Sequence, residues 1–153
     1  MKNQKGGCLI QGTLITLSDD TTKSIENIEV GDIVKSMVYD SETSGFTETT
    51  GTVVELQQVE ATVVFSLNEG LITVSEDHKN IVKQSESGNI VVTETEFVSV
   101  GDKLFDINGA EVEITSKDEI ETPQTVYNIV VDNTHSFFAN NILTHNQILP
   151  TEE

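Results

Sequence analysis

Apolar residues in this chain fall in short runs rich in Val, Ile and Thr, such as Val63–Phe65, Ile90–Val92 and Ile129–Val131, and the runs are separated by Gly, Asn, Ser and Asp clusters. β-Branched side chains suit a pleated, half-buried surface and the separating residues suit turns, so the chain reads as all-β. Strands are expected over 13–17, 32–40, 51–59, 61–67, 71–74, 80–84, 89–93, 103–107, 111–115 and 125–131. Many short strands imply sheets that bend or close. Segments 24–28 and 95–98 are each expected to form one helical turn, too short to stand without packing. Asn108-Gly109 predicts a two-residue type I′ hairpin, in which both central residues need φ > 0. Ser44-Gly45, Asn68-Glu69-Gly70 and Ser87-Gly88 mark further turns.

Segments 25–34 and 94–104 share apolar positions, then Val-Gly-Asp (Val30-Gly31-Asp32 and Val100-Gly101-Asp102), then a strand. Two copies are too few for a solenoid, which needs about three stacked repeats. They predict a duplicated half-domain with pseudo-twofold symmetry.

Eight Lys and no Arg against 26 acidic residues leave a net charge of −18 on 153 residues, yet 36% of the chain is apolar and able to form a core. One domain is expected at this length. The charge argues against nucleic-acid binding and against an anionic membrane surface, since both need a positive footprint. With no long apolar run and no charged-then-apolar leader, neither a spanning helix nor a signal peptide is expected. The expectation is a soluble, cytoplasmic monomer. Residues 1–7 are polar and Gly-ended, and residues 147–153 are broken by Pro150 and acidic at the end, so both read as flanks of a folded unit spanning 8–146.

The most reactive residues sit at the edges of that unit. A single cysteine, Cys8, precludes an internal disulfide and leaves two uses, buried packing or chemistry. Behind it lies the unhindered carbonyl of Gly7. The thiol could attack that carbonyl through a five-membered ring, moving the upstream chain from nitrogen to sulfur, with proximity supplying much of the rate. At the other edge, the side-chain nitrogen of Asn146 could attack its own main-chain carbonyl, close a succinimide and release Gln147 onward. An adjacent histidine, His145, suits general acid catalysis because imidazole ordinarily titrates near neutral pH. His78 and His135 complete the set of histidines. Asn108 before Gly109 is the sterically freest Asn, so selective reaction at Asn146 would have to come from the fold.

These ends, together with two internal stretches, resemble inteins, the self-excising domains that share the Hint fold with hedgehog autoprocessing domains. The opening 8–15 through 25–32 looks like the amino-terminal intein block, Val74-Ser75-Glu76-Asp77-His78 like the second, and 126–132 through 135–146 like the two carboxy-terminal blocks. The resemblance implies a horseshoe of bent antiparallel sheets with pseudo-twofold symmetry. It implies Cys8 as first nucleophile, Ser75 as an orienting hydroxyl where Thr is usual, and His78 as hydrogen-bond donor to the Gly7–Cys8 nitrogen. It further implies that His135 assists deprotonation of the Asn146 amide, that His145 protonates or stabilises departing groups, and that Asn146 cyclises. The substrate would be the chain's own flanking polypeptides, with no cofactor and no metal, acting once per molecule. About 139 residues between Cys8 and Asn146 leave no room for a homing endonuclease.

Two positions depart from the family pattern. Asn128 stands where many inteins carry Asp, and an amide cannot act as acid or base. Gln147 stands where splicing needs Cys, Ser or Thr, so cleavage without ligation, as in bacterial intein-like domains, is the alternative to splicing. From other classes, Cys8, His78, His135 and His145 could form a tetrahedral zinc set, or the chain could be an inert acidic β-rich binding domain.

Overall fold

A computed structural model describes residues 8–40, 42, 45–132 and 134–145. In chain order the strands are β1 (Leu9–Ile10), β2 (Leu14–Thr16), β3 (Thr22–Ser24), β4 (Ile33–Asp40), β5 (Gly45–Ala61), β6 (Val64–Leu67), β7 (Ile72–Ser75), β8 (Lys79–Lys83) and β9 (Ile90–Glu94). They continue as β10 (Lys103–Phe105), β11 (Glu111–Glu113), β12 (Lys117–Ile120), β13 (Gln124–Val131), β14 (Ser136–Ala139) and β15 (Ile142–His145). One sheet runs β12-β6-β7-β1-β13-β5-β4 and the other β11-β10-β8-β15-β14-β2-β3, with β9 also paired to β8. The only helix among the described residues is two short 3₁₀ turns, Ile25–Asn27 and Thr95–Phe97, both within the expected segments. The all-β class holds.

Strand limits differ from expectation where pairing overrides composition. β5 is one strand of 17 residues, not the nine expected, because its Thr-rich start pairs with β4 through Ile33↔Thr52 to Asp40↔Gly45. It then changes partner and follows β13 from Val131↔Val53 to Gln124↔Ala61. Gly51 lies at that change: a Cβ there would sit 2.3 Å from Val131 Cγ1 and 3.0 Å from the Asp132 carbonyl oxygen, so only glycine fits the approach. Strands β1, β3, β12, β14 and β15 were not expected from the pattern; β1 and β3 are too short to stand out and β12 is too charged.

The Asn108-Gly109 expectation is corrected. β10 and β11 pair only as far as Phe105↔Glu111, and of the two residues only Gly109 has positive φ (79°). Gly109 N–H donates to the Asp106 carbonyl at 2.8 Å and Asp106 N–H to the Ala110 carbonyl at 2.9 Å. This is a longer loop ending in a glycine bulge. The Asp106 carboxylate draws it in by accepting from the Asn108 and Ala110 amides at 2.8 and 3.0 Å. A two-residue turn with both residues at positive φ is found instead at Asn140-Asn141 (51° and 67°), joining β14 to β15 across Ala139↔Ile142.

The two echo segments match bond for bond. Ile28 N–H donates to Ile25 O and Val98 N–H to Thr95 O; Gly31 N–H donates to Val53 O and Gly101 N–H to Ile114 O. Asp32 Oδ2 accepts from the Glu29 amide at 2.9 Å, and Asp102 Oδ2 from the Ser99 amide at 3.0 Å. Both glycines take left-handed φ, 100° and 103°, which a side chain would strain. The main core gathers Leu9, Ile15, Ile25, Val34, Val53, Val98, Leu104, Ile114 and Phe137 from both halves, and a second cluster joins Met37, Phe105, Phe138 and Leu143. Among the described residues no helix is long and apolar enough to cross a membrane.

Candidate functional site

Cys8 directly precedes β1, which lies between β7 and β13. The pairing Leu9↔Val74 sets Cys8 against Ser75: Cys8 N–H donates to Ser75 Oγ at 2.9 Å, and Ser75 N–H returns a bond to the Cys8 carbonyl at 2.9 Å. Ser75 Oγ in turn donates to Asp77 Oδ1 at 3.0 Å, which fixes the hydroxyl as an acceptor toward the Cys8 nitrogen. Cys8 is buried in a small cluster with Val64 and Val126, flanked by Ile10, Ala61 and Ile120.

His78 is fully buried one turn beyond Ser75, its amide donating to the Ser75 carbonyl at 3.1 Å. Its own carbonyl accepts from Thr95 N at 3.0 Å, Asn80 Nδ2 at 3.1 Å and Thr95 Oγ1 at 3.3 Å. Three donors on one carbonyl hold the residue firmly. Its ring Nε2 lies 2.5 Å from Thr144 Oγ1 on β15. Strand β15 pairs with β8 at Thr144↔Asn80 and with β14 at Ser136↔His145. The carboxy-terminal strand is thereby stitched to the histidine that follows Ser75.

His135 immediately precedes β14 in left-handed backbone (φ 55°), a conformation His tolerates better than β-branched residues do. Its ring centroid lies 6.3 Å from that of His145. His135 Nδ1 is buried with no hydrogen-bond partner among the described residues. Asn128, also buried, lies on β13, where the register Leu9↔Tyr127 carries it to the level of Cys8. Its Nδ2 donates to Gln57 Oε1 at 3.1 Å, and Gln57 Nε2 donates to Glu55 Oε2 at 3.4 Å. A carboxylate can only accept, so the chain of donors turns the Asn128 oxygen away from Gln57.

The structure therefore sets Ser75 against Cys8, links His78 to Ser75 and to Thr144 on β15, and sets His135 beside His145. Gly7, Asn146 and Gln147 lie outside the described residues. Asp77, Asn80, Gln57 and Thr144 were not singled out from sequence. Asp77 was legible as a carboxylate two residues after Ser75, whereas the other three become visible only through cross-strand register. The zinc alternative needs its four ligands to converge, and among the described residues no group of three or more His, Cys, Asp or Glu is placed to hold a metal ion.

Two bent antiparallel sheets, an internal twofold and a cysteine drawn toward the terminal strand define a Hint-type self-processing domain. The match to the pretoxin Hint domain family model covers residues 15–150, and the chain belongs to that family. It is 31% identical to the bacterial intein-like domain from Clostridium thermocellum, with a TM-score of 0.72 over 94% of this chain and 100% of that one. The gp41-1 intein is 25% identical, with a TM-score of 0.71 over 93% and 100%. A variant of the Ssp DnaB mini-intein shares the fold at a TM-score of 0.76 over 97% and 98%, at 15% identity. The V-type proton ATPase catalytic subunit of Candida tropicalis is 37% identical over 89 residues, which are 55% of this chain and 8% of that protein. The chain thus spans under a tenth of that relative. The Hint and intein likenesses place the chain among domains of autocatalytic splicing or self-cleavage, which act on their own flanking sequence.

Proposed function

We propose that this domain, residues 8–146, cleaves the peptide bonds that join it to flanks 1–7 and 147–153. The observation that supports this is the hydrogen-bonded path Cys8–Ser75–His78–Thr144, which ties the first residue of the domain to its last strand. At the first junction the Cys8 sulfur bonds to the Gly7 carbonyl carbon, the carbon–nitrogen bond breaks, the thiol proton is lost to solvent, and His78 gives a proton to the departing nitrogen. Ser75, oriented by Asp77, holds that nitrogen in place.

At the second junction the Asn146 side-chain nitrogen bonds to its own carbonyl carbon and the bond to Gln147 breaks. His135, which directly precedes the Ser136 paired with His145 and whose buried Nδ1 has no hydrogen-bond partner among the described residues, would accept the amide proton. His145 would protonate the leaving nitrogen of Gln147. The Asn128 oxygen would serve as a fixed acceptor at the level of Cys8 rather than as an acid. Gln147 offers neither thiol nor hydroxyl to receive the acyl group, so the outcome with this flank is cleavage. The domain is proposed to act as a cytoplasmic monomer without nucleic acid or cofactor.

Incubation followed by intact-mass analysis tests the reading. Loss of residues 147–153, with loss of residues 1–7 on adding a thiol, is the expected result. Asn146→Ala is expected to abolish tail release while thiol-induced cleavage at Cys8 persists; tail release that continued in this variant would refute the assignment.

A further inference from the structure

Thr144 carries no assigned role in the chemistry, yet its side chain makes a short contact with the site. Its hydroxyl lies 2.5 Å from His78 Nε2 and 3.4 Å from the carbonyl oxygen of Lys79, and both Thr144 and His78 are buried. A hydroxyl has one hydrogen, so two arrangements exist. Either the hydroxyl donates to Nε2, leaving the ring proton on Nδ1, or it donates to Lys79 O and accepts from Nε2–H. A carbonyl cannot donate, so the second arrangement forms a directed chain from Nε2–H to Oγ1 and from Oγ1–H to Lys79 O.

We propose that Thr144 is a positioning residue that keeps a proton on His78 Nε2, so that Nδ1 is the nitrogen exchanging a proton at the Gly7–Cys8 junction. The inference rests on the self-cleavage reading. The directed chain is the only one of the two compatible with an imidazolium, which carries a proton on each nitrogen. It also persists after the Nδ1 proton leaves, so the transfer ends in the favoured neutral tautomer with no hydroxyl rotation. The hydroxyl comes from β15, two residues before Asn146. A strand displaced at its end therefore loses the contact, which makes first-junction cleavage sensitive to the seating of the second.

The test uses the full chain bearing Asn146→Ala, so that the tail stays attached, with 15N-labelled histidine. Long-range 1H–15N correlation reads which nitrogen of neutral His78 is protonated, and intact mass reads thiol-induced loss of residues 1–7. With Thr144 present, the Nε2–H tautomer is expected. Thr144→Val keeps the shape and β-branching but removes the acceptor. It should mix or reverse the tautomers and slow thiol-induced cleavage about 10- to 100-fold, the usual value of a hydrogen bond to a charged group. Thr144→Ser should restore both readouts, which a purely packing role would not predict. An Nδ1–H tautomer with Thr144 present, or Thr144→Val with unaltered tautomer and cleavage rate, would overturn the proposal. A parallel chain with Asn146 intact that cleaves at neither end, with or without thiol, would refute self-cleavage, while the tautomer measurement would still decide what Thr144 does.

Discussion

Replacing Asn80 by Asp, and separately by Ala, probes the network behind His78. Asn80 is 1% exposed, and its Nδ2 donates to the His78 carbonyl at 3.1 Å, to Thr95 Oγ1 at 2.9 Å and to the Thr93 carbonyl at 3.4 Å. In Asn80→Ala the His78 carbonyl keeps its bonds from Thr95 N and Thr95 Oγ1, so no acceptor is orphaned. The loss is then the net value of two well-formed bonds at about 1 kcal/mol each, plus a small cavity, or about 2–3 kcal/mol. Asn80→Asp keeps the volume but turns an oxygen toward two carbonyls and buries a charge without a partner, a cost of about 3–5 kcal/mol at neutral pH. The isosteric change should thus be the worse one, opposite to what cavity formation alone predicts. The introduced carboxyl would have a folded-state pKa above its unfolded value. Its penalty should therefore be full at neutral pH and fade as pH falls through that raised value. Urea unfolding of both variants in a Cys8→Ala/Asn146→Ala background, at neutral and acidic pH, measures this. An Asn80→Asp chain as stable as Asn80→Ala at neutral pH would refute the donor geometry assigned to Asn80.

The Asp32 carboxylate is held below its ordinary value of 3.8, first by the Glu29 amide and then by the Lys23 ammonium. A depressed carboxylate contributes stability above the unfolded value, which is lost as pH falls through the folded one. Asp32→Asn should therefore flatten the dependence of unfolding midpoint on pH below about 4, and an unaltered acid limb would contradict the pairing. Gly51→Ala puts a methyl 2.3 Å from Val131 Cγ1 and should cost about 1–3 kcal/mol, read as a lower urea midpoint with unchanged slope. No change in midpoint would mean that β5 does not approach β13 as described.

Legibility in the sequence followed signal length. The strands that were foreseen lie in expected stretches of four or more residues, while β1 has two residues and β3 three, below any period that can be recognised. β12 (Lys117–Ile120) holds only one apolar residue and is a strand because β6 pairs with all four of its positions. The hairpin misassignment has a local cause, since Asn108-Gly109 has the composition of a type I′ turn and the Asp106 carboxylate redirects it. For the site, reactive residue types at the domain edges were visible because their chemistry is unusual. Thr144, Asn80 and Gln57 were not, because Thr and amide side chains are commonplace in strands and acquire meaning only from the residue opposite.

The internal twofold explains why the nucleophile meets its partners at all. Thr13 N–H donates to Ile10 O and His78 N–H to Ser75 O; Ile25 N–H donates to Thr13 O and Thr95 N–H to His78 O. Ile10 thus matches Ser75, and Thr13 matches His78. The pair Leu9↔Val74 then joins equivalent residues, so the symmetry axis passes between β1 and β7. An antiparallel pair on such an axis sets each residue opposite the equivalent of its mirror neighbour, and Cys8 must face Ser75 with His78 one turn beyond. The same operation generates a second place, where Thr73 stands for Cys8, Ile10 for Ser75 and Thr13 for His78. Thr13 and Thr73 are both buried there, and Thr13 spends its hydroxyl on the Ile10 carbonyl at 2.7 Å. Duplication supplies two equivalent frameworks, and divergence at three positions places the thiol and imidazole in only one of them.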